Sequence, residues 1–312
     1  MNFYKIEDEI KFSHKRYELI NKTMEKIIAR GYFYWEPVLF ENYDSFVAEN
    51  NRIDSKSTVK VLSNDGSISI LTPDLTSGML SNILDKCDEK TKLKILYYGK
   101  VFKNTELGIK EIRQLGAEYL GEEDISADLE IIDMALEIMG SLKQDYIMEI
   151  GCSNFLKQLI KELGLSTQSY MEIMEIIYKK DKYKLEKYVS GFHDSEAKKI
   201  LENLFQLSGS FEAVREALQN LGAGVKTMDS INHMELVDRF IKQKGLEKNV
   251  VYDLSVVSEL DYYSGITFRT YMKNANDAII KGGRYKASSP KVQNEITAVG
   301  FSVEVDILSR IL

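Results

Sequence analysis

The chain has 312 residues, 44% of them hydrophobic and 29% charged, which suits one large globular domain or a core with one insertion. A formal charge of -7 and a pI near 5.3 argue against phosphate-backbone binding, which needs Lys and Arg clustered in excess. No run approaches the roughly 20 apolar residues of a membrane span. Met1-Asn2-Phe3-Tyr4-Lys5 starts no signal peptide, and two cysteines, Cys87 and Cys152, exclude a disulfide framework, so a soluble cytoplasmic protein with buried free thiols is expected.

In chain order, Ile20, Met24, Ile27 and Ile28 recur at helical spacing and predict an amphipathic helix over about residues 7–30, ended by Gly31. Tyr32 to Glu41 is a β-rich run containing Pro37, which confines it to an edge because proline lacks the ladder donor. Residues 58–72 alternate apolar and polar around Asn64-Asp65-Gly66, a hairpin signal. Leu71-Thr72-Pro73-Asp74-Leu75-Thr76 leads into a helix through Met79, Ile83 and Leu84, with Asp74 placed to cap it. Residues 95–103 predict a strand, 104–113 a polar loop, and 114–121 a second strand.

Ser126 is the expected N-cap of the next helix, with Asp128 and Glu130 in its first turn and Leu129, Ile132, Leu136 and Met139 on its buried side. Tyr146 to Gly151 returns as a strand. From about 155 to 223 the pattern turns to lysine- and glutamate-rich helices, a helical insertion, in which Met171, Met174, Ile177 and Tyr178 are expected to pack as core. A helix over about 229–244 and a strand over 250–254 follow.

Three blocks then stand out: Glu259-Leu260-Asp261-Tyr262-Tyr263-Ser264-Gly265, Gly282-Gly283-Arg284-Tyr285 and Ala298-Val299-Gly300-Phe301. In that order and spacing they resemble the histidine-pocket and C-terminal motifs of histidyl-tRNA synthetase and its relatives. The resemblance extends upstream. The 7–41 segment is similar to the helix and strand of motif 1, which builds a dimer interface, and the two strands around 104–113 are similar to motif 2. It implies an α+β fold, a class II aminoacyl-tRNA synthetase core with a mainly antiparallel sheet flanked by helices. That core would run over 1–312, interrupted by the insertion at about 155–223 and without an anticodon-binding domain.

The resemblance also assigns residues. Asp74 and Thr76 would hold a histidine amino group, Gln114 and Glu118 would lie along the ligand, and Tyr262, Tyr263 and Tyr285 would face the imidazole. A carboxylate for an ammonium and an aromatic wall with a hydrogen-bond partner for an imidazole are sensible chemistry. The nucleotide clamp departs from the pattern: Lys103, Ser258 and Ile307 stand where an active synthetase carries arginines, and a lysine point charge cannot reproduce the two-pronged guanidinium grip on phosphate.

A synthetase-like chain stripped in this way resembles the family of regulatory subunits of short-form ATP phosphoribosyltransferase. That implies no catalytic residues and no cofactor, a short catalytic subunit as partner, histidine as effector, a homodimer within a hetero-oligomer, and no tRNA. Two other readings stay open: a residual amino-acid-activating enzyme, and a histidine-sensing module for another partner. Other chemistry is scarce. His14, His193 and His233 have no metal-ligand spacing, and no phosphate-cradling Gly-x-x-x-x-Gly-Lys loop occurs.

Overall fold

Alternation of apolar residues through the 90s and 110s builds two 13-residue strands, Leu93–Thr105 and Gly108–Leu120, paired antiparallel from Leu93↔Leu120 to Thr105↔Gly108. The segment expected as a loop is therefore ladder almost to its tip. Its polar side chains mark a hairpin end projecting into solvent, where alternation no longer has a core to record. The computed structural model describes residues 5–49, 57–88, 90–257, 263–289 and 292–311. The chain forms two units, Met1–Gln144 with Lys273–Ile280 and Lys286–Leu312, and Asp145–Met272 with Lys281–Tyr285.

In the first unit Phe33–Tyr34 runs parallel to the long hairpin's first strand, and Val292–Glu304 runs antiparallel to its second. The expected strand over 32–41 is split. Phe33–Tyr34 and Phe40–Asn42 join different sheets, because Pro37 between them has no donor to continue one ladder. Phe40–Asn42 pairs with Ile68–Leu71, which also pairs with Val59–Leu62 around the turn that Gly66 makes possible with φ +85°.

Helix Ile125–Ser141 lies against strands Val292–Glu304 and Gly108–Leu120 and buries Ala127, Ile131, Ile132, Ala135 and Met139. Each large apolar side chain so buried stabilises the unit by about 1.5–3 kcal/mol. Its cap is Asp124, whose carboxylate accepts from Ser126 N–H at 2.8 Å, rather than Ser126 itself. The first helix, Ile6–Ile28, buries Ile20, Thr23 and Ile27, and beyond its end Arg30 reaches Asp133 at 2.9 Å and Glu137 at 2.6 Å.

In the second unit Tyr263–Met272 pairs antiparallel with Tyr146–Cys152, which runs parallel to Val250–Asp253, and that strand meets Ser208–Gly209. Helices Ser153–Glu162, Thr167–Tyr178, Lys182–Val189, Glu196–Glu202 and Phe211–Asn220 occupy the lysine- and glutamate-rich stretch. Four of them start at a side-chain cap, Ser166, Asp181, Ser195 and Ser210, each accepting from the N–H three residues on, which lets short helices form without length. The expected methionine and tyrosine core is corrected here. Met171 is 61% and Tyr178 40% exposed and Met174 is half-buried, whereas Ile177 is buried as expected, together with Ile173. Cys152 is buried and its thiol donates to the Ser230 carbonyl, whereas Cys87 is only half-buried. Among the described residues no helix is long and apolar enough to cross a membrane.

Candidate functional site

Strand register sets one sheet face of the first unit. Residues two apart share a face, so Gln114, Gly116 and Glu118 look the same way as their cross-strand partners Gly99, Tyr97 and Ile95 on one side and Glu304, Ser302 and Gly300 on the other. Three carboxylates, Asp74, Glu118 and Glu304, come to this region.

Asp74 caps helix Leu75–Ile83, as its position suggested. Its Oδ1 accepts from Thr76 N–H at 3.0 Å, and its Oδ2 from the Ser77 hydroxyl at 3.0 Å. The helix start thereby fixes Thr76, whose Oγ1 lies 2.9 Å from the Tyr97 hydroxyl and 3.0 Å from Glu118 Oε1. Tyr97 donates in turn to the same Glu118 oxygen at 3.1 Å. Two hydroxyls thus converge on one buried carboxylate oxygen, an arrangement rich in acceptors.

Glu118 is 2% exposed, and the backbone explains how it fits. A Cβ on Gly300 would stand 1.8 Å from Glu118 Oε2 and 2.6 Å from the Ala117 carbonyl oxygen, and one on Gly116 would stand 2.4 Å from the Tyr97 ring and hydroxyl. Each glycine is therefore the floor beneath a functional side chain of the neighbouring strand, a requirement of space rather than of backbone angle. Gln114 shares the face, but its amide donates to Glu304 Oε1 at 2.7 Å.

Electrostatics follow from burial. Desolvation holds the Asp74 carboxyl above its ordinary value of 3.8, against the downward pull of the Ser77 and Thr76 hydrogen bonds and of the Lys103 charge. Tyr97 is pushed well up, first by burial and then by the adjacent Glu118 carboxylate. Because the fold raises the Asp74 carboxyl, ionising it costs native stability: the cost is absent below the ordinary value and complete above the raised one, so it grows as pH rises through that window. Asp74→Asn keeps a cap and removes the charge. Thermal melts are expected to place the variant level with the parent chain at acid pH and above it at pH 7.5; a variant less stable at pH 7.5 would contradict this electrostatic account.

The second unit holds Tyr263 and Tyr285, both buried. Gly283 permits the close approach there: a Cβ would meet the Ile266 carbonyl oxygen at 2.6 Å and the Tyr263 ring at 3.0 Å. Lys157 Nζ donates to the Tyr263 carbonyl at 2.7 Å. The segment leading out of strand Val250–Asp253 is clamped by Lys180, whose Nζ reaches Asp253 Oδ2 at 2.8 Å and Ser255 Oγ at 2.5 Å, and by Arg269, which donates to the Val257 carbonyl. Ser258 and Tyr262, with the rest of 258–262, lie outside the described residues.

The structure thus joins Asp74, Thr76 and Glu118 in one network, places Gln114 on the same face with Glu304, and puts Tyr263 and Tyr285 beside Gly283. Sequence reasoning missed Tyr97 and Glu304. Tyr97 had a signal, since it is two residues from Gly99 on a predicted strand; Glu304 had none locally, being 190 positions from Gln114. Of the clamp positions, Lys103 is exposed on the long hairpin, and Ile307 follows Asp306, whose carboxylate is taken by Arg113 through its backbone N–H at 2.9 Å and its guanidinium at 3.2 Å.

A mainly antiparallel sheet flanked by helices is the fold of the class II aminoacyl-tRNA synthetases. Solved structures share it. A Bacillus halodurans C protein described as an ATP phosphoribosyltransferase regulatory subunit/histidyl-tRNA synthetase matches with TM-score 0.86 at 23% identity, over 100% of this chain and 82% of that one. A chain of the ATP phosphoribosyl transferase (HisG:HisZ) complex from Thermotoga maritima matches with TM-score 0.70 at 19% identity, over 93% of this chain and 97% of that one. The family model described as histidyl-tRNA synthetase matches residues 8–308, and the chain belongs to that family. Within it, the ATP phosphoribosyltransferase regulatory subunit of Thermoanaerobacter sp. (strain X514) is 29% identical over 305 residues, covering 96% of this chain and 78% of the relative.

Proposed function

We propose that this chain is the non-catalytic regulatory subunit of a short-form ATP phosphoribosyltransferase, acting in the cytoplasm on the first step of histidine biosynthesis. It binds and activates the catalytic subunit and contributes to feedback inhibition by histidine. The similarity to the Thermoanaerobacter regulatory subunit over 96% of this chain carries the reading. Two features support it. Lys103, Ser258 and Ile307 fill the places of the arginines that would neutralise phosphate charge, so adenylate formation lacks its electrostatic stabilisation. The acceptor-rich triangle of Thr76, Tyr97 and Glu118, with Asp74 beside it, suits an ammonium group.

By resemblance, histidine is held by Asp74, Thr76, Gln114 and Glu118, and Tyr262, Tyr263 and Tyr285 supply aromatic surface for its imidazole. Phe33, Tyr34, Leu39 and Phe40 are exposed, an apolar and aromatic surface suited to the core of a homodimer interface. No tRNA is bound.

The deciding experiment adds the purified chain to the short catalytic subunit encoded in the same genome. A rise in phosphoribosyl transfer and a histidine-dependent inhibition of the mixture are expected, with a homodimer by light scattering and no histidine-dependent pyrophosphate exchange by the chain alone. Exchange clearly above a no-protein control, or a catalytic rate indifferent to the chain, would overturn the reading.

A further inference from the structure

The long hairpin ends in the two-residue turn Glu106-Leu107, and its tip carries surface that the sheet does not use. Leu107 is 101% and Ile109 63% exposed, so neither contributes to the core, and hairpin turns ordinarily take polar residues or glycine. Lys103 stands directly across the ladder from Lys110, a like-charge pair that costs stability. Among the described residues neither ammonium lies within 4.0 Å of a carboxylate. The same hairpin treats its inner pair differently. Lys100 and Arg113, also opposite one another, share Glu111 at 3.2 Å and 2.8 Å. Outward of that pair no ion pair forms among the described residues, and the Lys103 charge is felt by Asp74 only at longer range, in a chain whose net charge is -7.

Strand alternation puts Lys103 and Lys110 on the face that carries Gln114, puts Ile109 on the opposite face, and leaves Leu107 at the apex. We propose that this tip is a docking element that inserts into a protein groove with an apolar floor and an acidic wall on the lysine side. Resting on the function proposed above, the occupant of the tip is the catalytic subunit. A protein fits better than a nucleic acid, because a fully exposed leucine sits at the apex with Glu106 beside it, where a phosphate backbone would meet no donor side chain.

Association of the full-length chain with the catalytic subunit, measured by calorimetry at two salt concentrations, tests this. Leu107→Asp is expected to weaken association by at least about tenfold, as loss of a buried apolar anchor does. Lys103→Glu with Lys110→Glu is expected to weaken it and to remove most of its salt dependence. Both variants should keep the parent circular dichroism, since these side chains are exposed. Variants that associate like the parent chain would overturn the docking and leave the function standing. Failure of the parent chain itself to associate would remove both. Unchanged association with lost binding of an RNA hairpin would assign the tip to nucleic acid and overturn the proposal.

Discussion

Gly300→Ala is expected to remove histidine binding and to lower stability by about 2–4 kcal/mol, the combined scale of an overpacked core and a displaced buried acceptor. The added methyl carbon would stand 1.8 Å from Glu118 Oε2, far inside contact distance, and 2.6 Å from the Ala117 carbonyl oxygen, which is backbone and cannot rotate away. Glu118 must leave its place, and the triangle with Thr76 and Tyr97 opens. Gly191→Ala serves as the control, because its methyl carbon would meet the Tyr188 carbonyl oxygen only at 4.0 Å. A Gly300→Ala chain that melts and binds like the control would show that Glu118 has another position available and that the floor is not required.

Gly300 also shows how far the sequence could be read. It belonged to a recognisable block, but the reason for a glycine there is the carboxylate of a strand 180 residues earlier, a fact of register that no local pattern records. Local chemistry fared better. Asn64-Asp65-Gly66 made its turn and Asp74 capped its helix, because turns and caps are decided within a few residues. Ser126 was misplaced by two because the helix starts earlier, at Asp124, whose carboxylate accepts from the Ser126 N–H. The hairpin tip was taken for a loop because its ladder holds polar residues on both faces. Of the expected stripe on helix Thr167–Tyr178, Ile177 is buried while Met171 and Tyr178 are exposed, since both faces are partly apolar and only packing chose between them.

The site was legible to the same extent. Asp74, Thr76 and Glu118 were named from the sequence and meet in space, whereas Tyr97 closes their triangle without having been named. Gln114 was named for the ligand and is found donating to Glu304, a partner that brings a further carboxylate to the same sheet face.

Glu118→Gln separates charge from shape. The amide oxygen can still accept from Thr76 and Tyr97, so the triangle closes and stability is expected to stay close to that of the parent chain. What disappears is the negative charge that a ligand ammonium would meet in a buried setting, where a charge-assisted hydrogen bond is worth about 1.5–3 kcal/mol. Histidine affinity, measured by calorimetry on the complex with the catalytic subunit, is expected to fall by roughly tenfold to a hundredfold. Linkage makes histidine's effect on substrate binding equal to the substrate's effect on histidine binding, so a lower affinity moves the inhibition to higher histidine concentration. The concentration for half-inhibition should therefore rise while assembly is unchanged. If Glu118→Gln assembles, binds histidine and is inhibited like the parent chain, the triangle is a structural remnant, and the effector acts at another place in the complex.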